Sequence, residues 1–257
     1  MSAEAGRMTT TAMTTTQTPR TATTHVVIVS GFWLGAWAWD AVVPGLRDAG
    51  LTPHPVTLPG LGAPGPPEPP RPGITLDDHV AAVRDLVDGL DDAVVLVGHS
   101  GGALVVQMVA DQRPDRVRRV VYVDAGPWRD GMALGPRDLD GDLALPTWAE
   151  LAAQGSSTEG LDDEALAVFR ARAMPQPVGV ATAPVRVGDP RRFAIPVTAV
   201  CTSLPSGVLR EMIASGQMPS ELGDYADVEY VDLPTGHWAM LSRPADLADA
   251  IAAAALR

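Results

Sequence analysis

A chain of 257 residues with 46% apolar and 19% charged side chains can bury the core of a single α/β domain that carries an insertion. Its formal charge of −12 disfavours a nucleic-acid partner, since phosphate binding wants clustered cations, and no apolar run approaches a membrane span. The lone Cys201 excludes an intrachain disulfide and a cysteine-based zinc site, and the five histidines form no H-x-x-x-H pair, so no metal and no cofactor are expected.

Residues 1–24 are Thr-rich, lack large apolar side chains and show no periodicity, which predicts a disordered tail before a domain at 25–257. The tail has no apolar stretch of the secretory kind, so a cytoplasmic location is expected. From His25 onward, β-branched runs alternate with helical patterns, the signature of a parallel sheet covered on both faces. Six runs qualify as strands: Val26–Ser30, Pro55–Leu58, Ala93–Gly98, Val117–Asp124, Ala194–Thr202 and Asp227–Leu233. Thr75 and Asp78 have the spacing of a capping box ahead of Val80, Val83, Val87 and Leu90, which predicts a surface helix bearing His79. Ala103–Val109 is apolar nearly all round, as an enclosed helix must be, and stops at Arg113-Pro114. Ser242 can cap a last helix with Pro244 in its first turn and Leu247, Ile251 and Ala254 as its buried stripe. Residues 126–190 break the alternation with Gly, Pro and Asp clusters and one helix around Asp162–Arg172, and read as a lid inserted over the C-terminal edge of the sheet.

Gly98-His99-Ser100-Gly101-Gly102 matches G-x-S-x-G between a strand and a buried helix, where the glycines permit a strained turn that exposes the Ser100 hydroxyl. A helix N-terminus and the Gly101 N–H at that turn favour a developing oxyanion. A serine hydroxyl needs a base, and His237 lies in the loop between the last strand and the last helix, in the chain order Ser then His that this architecture uses. Gly60-Leu61-Gly62-Ala63-Pro64-Gly65 satisfies G-x-G-x-x-G, but a Pro-rich stretch follows it instead of a helix, so no dinucleotide is expected there.

Val29-Ser30-Gly31-Phe32-Trp33, the Ser100 elbow, Cys201-Thr202 and Gly236-His237-Trp238 together resemble the α/β-hydrolase superfamily, nearest to its small esterase and hydroxynitrile-lyase branch. The resemblance implies that the loop after the first strand supplies a second oxyanion N–H, at Phe32. This chain departs from the family in two places: Ser30-Gly31 stands where His-Gly is usual, and Ser203, Leu204 and Pro205 follow the fifth strand where an Asp is usual. Asp124, ending the fourth run, is the natural substitute, much as haloalkane dehalogenases carry a Glu there. A Ser-His dyad and Asp232 remain alternatives.

The expected reaction is hydrolysis of an ester, lactone or thioester through an acyl-enzyme on Ser100. Trp33, Trp128, Met132, Trp148, Phe169, Met174 and Trp238 are candidates for an apolar, medium-sized pocket, or equally for a small core under the lid. The partner is then a small molecule, with no nucleic acid and no membrane, and the chain a monomer or homodimer. A cofactor-independent lyase or cyclase using Ser100 and His237 for proton transfer, or a ligand-binding homologue without turnover, are the alternatives.

Overall fold

The structure, a computed structural model, describes residues 23–62, 73–135 and 138–257. The tail expected over 1–24 lies outside the described residues apart from its last two positions, as does the Pro-rich stretch after Gly62.

Six strands form one all-parallel sheet in the order β2-β1-β3-β4-β5-β6: β1 His25–Val29, β2 Thr52–Val56, β3 Val94–His99, β4 Val117–Val123, β5 Val197–Cys201 and β6 Val228–Asp232. In chain order the helices are α1 Val43–Asp48, α2 Leu76–Gly89, α3 Gly102–Gln112, α4 Trp148–Ala153, α5 Asp163–Arg172, α6 Val178–Ala181, α7 Ser206–Ala214, α8 Ala239–Ser242 and α9 Pro244–Ala255. Side chains alternate across the pleat, so Val27 and Val29 face one core with α2 and α3, while Val26 and Ile28 face a second with Trp39, Leu46 and α9. Both faces being covered, the central strands read as continuous apolar runs without alternation. α3 is buried over Gly102–Ala110, as its all-round apolar sequence requires. The capping box of α2 is formed, with Asp78 N–H donating to Thr75 Oγ1 and Thr75 N–H to the Asp78 carboxylate, a cap worth about 1 kcal/mol.

Several expected boundaries move for identifiable reasons. β2 starts at Thr52, three residues before the expected Pro55, because an edge strand paired only with β1 tolerates Pro53 and Pro55. β5 starts at Val197, since Pro190–Ala194 winds into a 3₁₀ turn capped by Asp189. The last helix is preceded by Arg243, not capped by Ser242, whose hydroxyl instead pairs with that of Thr235 at 2.8 Å. His79 is buried and bonds the Pro59 carbonyl at 2.8 Å, so α2 carries it on its inner face.

The chain runs from β1 outward to β2 and then returns to the other side of β1 as β3. The loops leaving β1 and β3 therefore diverge at the C-terminal edge, the usual place for a ligand in such a sheet, although between them Gly31, Phe32 and Gly101 line only a recess of about 10 Å³. Register puts Val29 beside Gly98, His99 beside Val123, Val123 beside Val200 and Cys201 beside Asp232, so the next residues of each strand crowd onto one edge.

Candidate active site

Three non-glycine residues among those described have left-handed backbones: Trp33 (φ 66°), Ser100 (φ 49°) and Asp124 (φ 46°). Each follows the end of a strand at this edge, and each such backbone costs on the order of 1–3 kcal/mol. The ladder continues into two of the strained turns, with Ser100 N–H donating to the Val123 carbonyl and Asp124 N–H to that of Val200. The elbow closes because its flanking residues have no Cβ. One on Gly98 would lie 2.5 Å from the Val106 side chain, and one on Gly102 would lie 2.5 Å from the Ser30 carbonyl oxygen.

His237 is brought to the cavity that Ser100 also lines by the loop from β6 to α8, which is tied down on both sides. Gly236 and His237 N–H groups donate to Glu159 and Ser157 carbonyls, and Thr202 Oγ1 donates to the Gly236 carbonyl. The Nδ1–H of His237 donates to Asp124 Oδ2 at 2.6 Å, which leaves Nε2 as the basic nitrogen. The Asp124 carboxylate also accepts from Thr202 N–H, Ser203 N–H and, at 2.6 Å, Ser203 Oγ–H. Burial alone would raise the Asp124 carboxyl, but its bonds from His237 and Ser203 outweigh that and hold it well below the ordinary carboxylate range. Asp232 faces away from this cluster and accepts from Ser206 N–H and Oγ–H at the start of α7.

His99, the middle residue between Gly98 and Ser100, is buried and bridges two loops. Its Nε2–H donates to the His237 carbonyl at 2.9 Å and its Nδ1 accepts from Gly31 N–H at 3.3 Å. Burial first, and the neighbouring His237 second, push this imidazole down to about 3. A histidine whose folded pKa is depressed contributes stability that is present above its unfolded value and lost as pH falls toward the folded one. Between about pH 6.5 and pH 3 the neutral His99 is therefore expected to cost up to about 1.4 kcal/mol per pH unit. Urea unfolding at pH 6.5 and 4.5 should show a smaller loss for His99→Gln than for wild type, and equal losses would contradict that assignment.

Phe32 and Gly101 meet beside Ser100: a Cβ on Gly101 would lie 2.5 Å from the Phe32 ring. Neither backbone N–H takes a partner among the described residues. Ser100, Asp124 and His237 open on a cavity of about 470 Å³ walled by Trp128, Leu134, Leu204, Leu209, Met212, Met218 and Leu222. Besides Asp124 and His237, Cys201 is its one ionisable lining residue among those described, and burial pushes that thiol up to about 12, so it stays neutral. The wall is braced from behind: the buried Gln107 amide clamps both the N–H and the carbonyl of Trp128 and donates to Glu221, itself paired with Arg192 at 2.9 Å.

Of the aromatic candidates, Trp128 lines this cavity. Trp148, Phe169 and Trp238 pack with Trp37 in the second core, with ring centroids 5.1 to 6.5 Å apart. Trp33 is bonded through its indole to the Leu143 carbonyl, and neither Met132 nor Met174 lines the cavity. Sequence reasoning missed Ser203 as a partner of Asp124, His99 as a bridge, and Leu209, Met212 and Met218 as cavity wall. The polar residues right after β5 were the available signal for Ser203.

The sequence profile of the alpha/beta hydrolase family matches residues 26–250. A carbendazim hydrolyzing esterase from Nocardioides sp. (strain SG-4G) is 31% identical over 260 residues, covering 89% of this chain and 98% of that protein. Two solved structures share the fold. One is an extracellular alpha/beta-hydrolase from a Paenibacillus species described as homologous to tobacco salicylic acid binding protein 2, with TM-score 0.70 and 21% identity over 90% of this chain and 98% of that one. The other is a pyrethroid hydrolase from Sphingobium faniae JZ-2, with TM-score 0.65 and 22% identity over 91% and 98%.

Proposed function

The chain belongs to the alpha/beta hydrolase family and is an α/β-fold carboxylesterase, and we propose that it works through an acyl-enzyme on Ser100 with His237 as base, Asp124 as its acid, and medium-sized apolar esters as substrates. The observation that carries this is the 2.6 Å bond from His237 Nδ1 to Asp124 Oδ2 at the mouth of an apolar cavity that Ser100 also lines.

In this reading the Ser100 oxygen attacks the ester carbonyl while its proton passes to His237 Nε2, and the carbonyl electron pair becomes an oxyanion. The N–H groups of Phe32 and Gly101 stabilise that charge, and Asp124 stabilises the imidazolium. Collapse expels the alcohol, which takes the proton from His237. Water, deprotonated by the same nitrogen, then attacks the acyl group, and the carboxylic acid leaves as Ser100 recovers its proton. Every proton that leaves Ser100 or water returns through His237, so no cofactor enters the balance.

The connection between β4 and β5, about residues 126–190, acts in this reading as a cap, because Gln154, Gly155 and Ser156 help line the cavity. Its partner is a small molecule held mainly by apolar contact. No helix among the described residues is long and apolar enough to cross a membrane. With no cation among the described residues of the wall to meet a second carboxylate, p-nitrophenyl esters should improve by up to about fourfold in kcat/KM per added methylene over the first few carbons. A p-nitrophenyl hemisuccinate should be turned over poorly beside the butyrate. A preference for the acetate or the hemisuccinate would contradict the substrate class.

A further inference from the structure

The Phe32 N–H owes its direction to the loop after β1, and the structure shows what holds that loop. All three polar groups of Trp33 are taken by the connection between β4 and β5. Its N–H donates to Gln176 Oε1 at 3.3 Å, its indole N–H donates to the Leu143 carbonyl at 2.9 Å, and its carbonyl accepts from Met174 N–H at 3.0 Å. Leu143 and Gln176 are themselves joined as an antiparallel bridge through bonds of 2.8 and 2.9 Å, so the grip is one unit. Gln176 is 1% exposed and shares a recess of about 10 Å³ with Gly31, Phe32 and Gly101.

We propose that Gln176 is a positioning residue for ester hydrolysis: by accepting the Trp33 N–H it fixes the Phe32–Trp33 peptide in its left-handed setting and aims the adjoining Phe32 N–H at the oxyanion. This role rests on the Ser100 acyl-enzyme reading. An L side chain disfavours the backbone of Trp33, whose φ is 66°, so without its acceptor that residue relaxes toward negative φ and swings the peptide before it. The loop has no slack to absorb such a swing, because a Cβ on Gly31 would already lie 2.7 Å from the Ser100 Cβ and 2.9 Å from His99 Nδ1. A donor displaced by about 1 Å costs on the order of 100-fold in rate.

The test compares wild type, Gln176→Leu and Gln176→Glu on p-nitrophenyl butyrate, alongside their affinity for an alkyl trifluoromethyl ketone and their thermal midpoints. The ketone accepts the Ser100 oxygen at its carbonyl carbon, sends the hydroxyl proton to His237 and leaves an oxyanion, so it reads the donors without the leaving-group step. Gln176→Leu is expected to lower kcat by on the order of 100-fold with KM changed less than about twofold, and to weaken the ketone by a matching factor. Gln176→Glu, which keeps an acceptor at the same reach, should recover most of both. Should Gln176→Leu fail to fold, Gln176→Asn, whose amide is one methylene shorter, gives the same readout. Unchanged kcat and ketone affinity in a folded Leu or Asn variant, or a loss confined to KM or the thermal midpoint, overturns the role while leaving the acyl-enzyme intact. A wild type that hydrolyses no ester overturns the acyl-enzyme reading and this role with it.

Discussion

Asp124→Asn is expected to lower kcat on p-nitrophenyl butyrate by on the order of 10⁴-fold while leaving the fold and KM nearly intact. The amide keeps the volume of the carboxylate and can sit on the same left-handed turn, which Asn tolerates as well as Asp. It cannot serve all the donors that converge there. His237 Nδ1–H, Ser203 Oγ–H and the N–H groups of Thr202 and Ser203 all point at the two Asp124 oxygens. An amide offers one oxygen, and its NH₂ turned toward His237 would favour the tautomer that carries the proton on Nε2, the wrong nitrogen for a base. The imidazolium of the transition state would also lose its counter-charge. A variant retaining more than about a tenth of wild-type kcat would show that His237 works without this carboxylate, as the dyad alternative requires.

Ser100→Ala and His237→Ala are each expected to remove at least about 10³-fold and up to about 10⁶-fold of kcat, and the double variant no more than either alone. Nucleophile and base act as one unit, so the second deletion finds nothing left to remove. Since Ala relieves the left-handed strain no better than Ser, Ser100→Ala should unfold within about 1 kcal/mol of wild type, which separates a chemical loss from a structural one. Losses in the double variant that multiply would mean that the two residues act independently and would contradict the acyl-enzyme scheme.

What could be read from sequence differs sharply among these residues, and locality explains the difference. The Ser100 elbow is legible because its requirements are contiguous: Gly98 and Gly102 must lack side chains, and the strand and the helix lie immediately on either side. His237 is legible by order, since one histidine follows the last strand. The acid is harder, because its role depends on which strand ends are neighbours, a matter of sheet order. The register setting Val123 beside Val200 brings Asp124 next to Thr202 and Ser203, a proximity that no spacing along the chain encodes. Asp232, nearer to His237 in sequence, caps α7 instead.

The pocket is the least legible part. Trp148, Phe169 and Trp238 are as apolar as any pocket wall, yet they pack on one another and on Trp37 in the core. Leu209 and Met212, on a helix of ordinary amphipathic pattern, line the cavity. Burial against a neighbour and burial against a ligand leave the same periodic signature, so composition cannot separate them. β2 illustrates the same limit for the fold, since Pro53 and Pro55 argue against a strand until its place at the sheet edge is known.

The most direct test of the account is the site of covalent capture. After brief exposure to an alkyl fluorophosphonate, tandem mass spectrometry of digested protein should find one adduct per chain on the peptide bearing Ser100, none in Ser100→Ala, and strongly slowed labelling in His237→Ala. An adduct on another residue, or a Ser100→Ala protein that still turns over esters, would mean that the reaction does not pass through this hydroxyl.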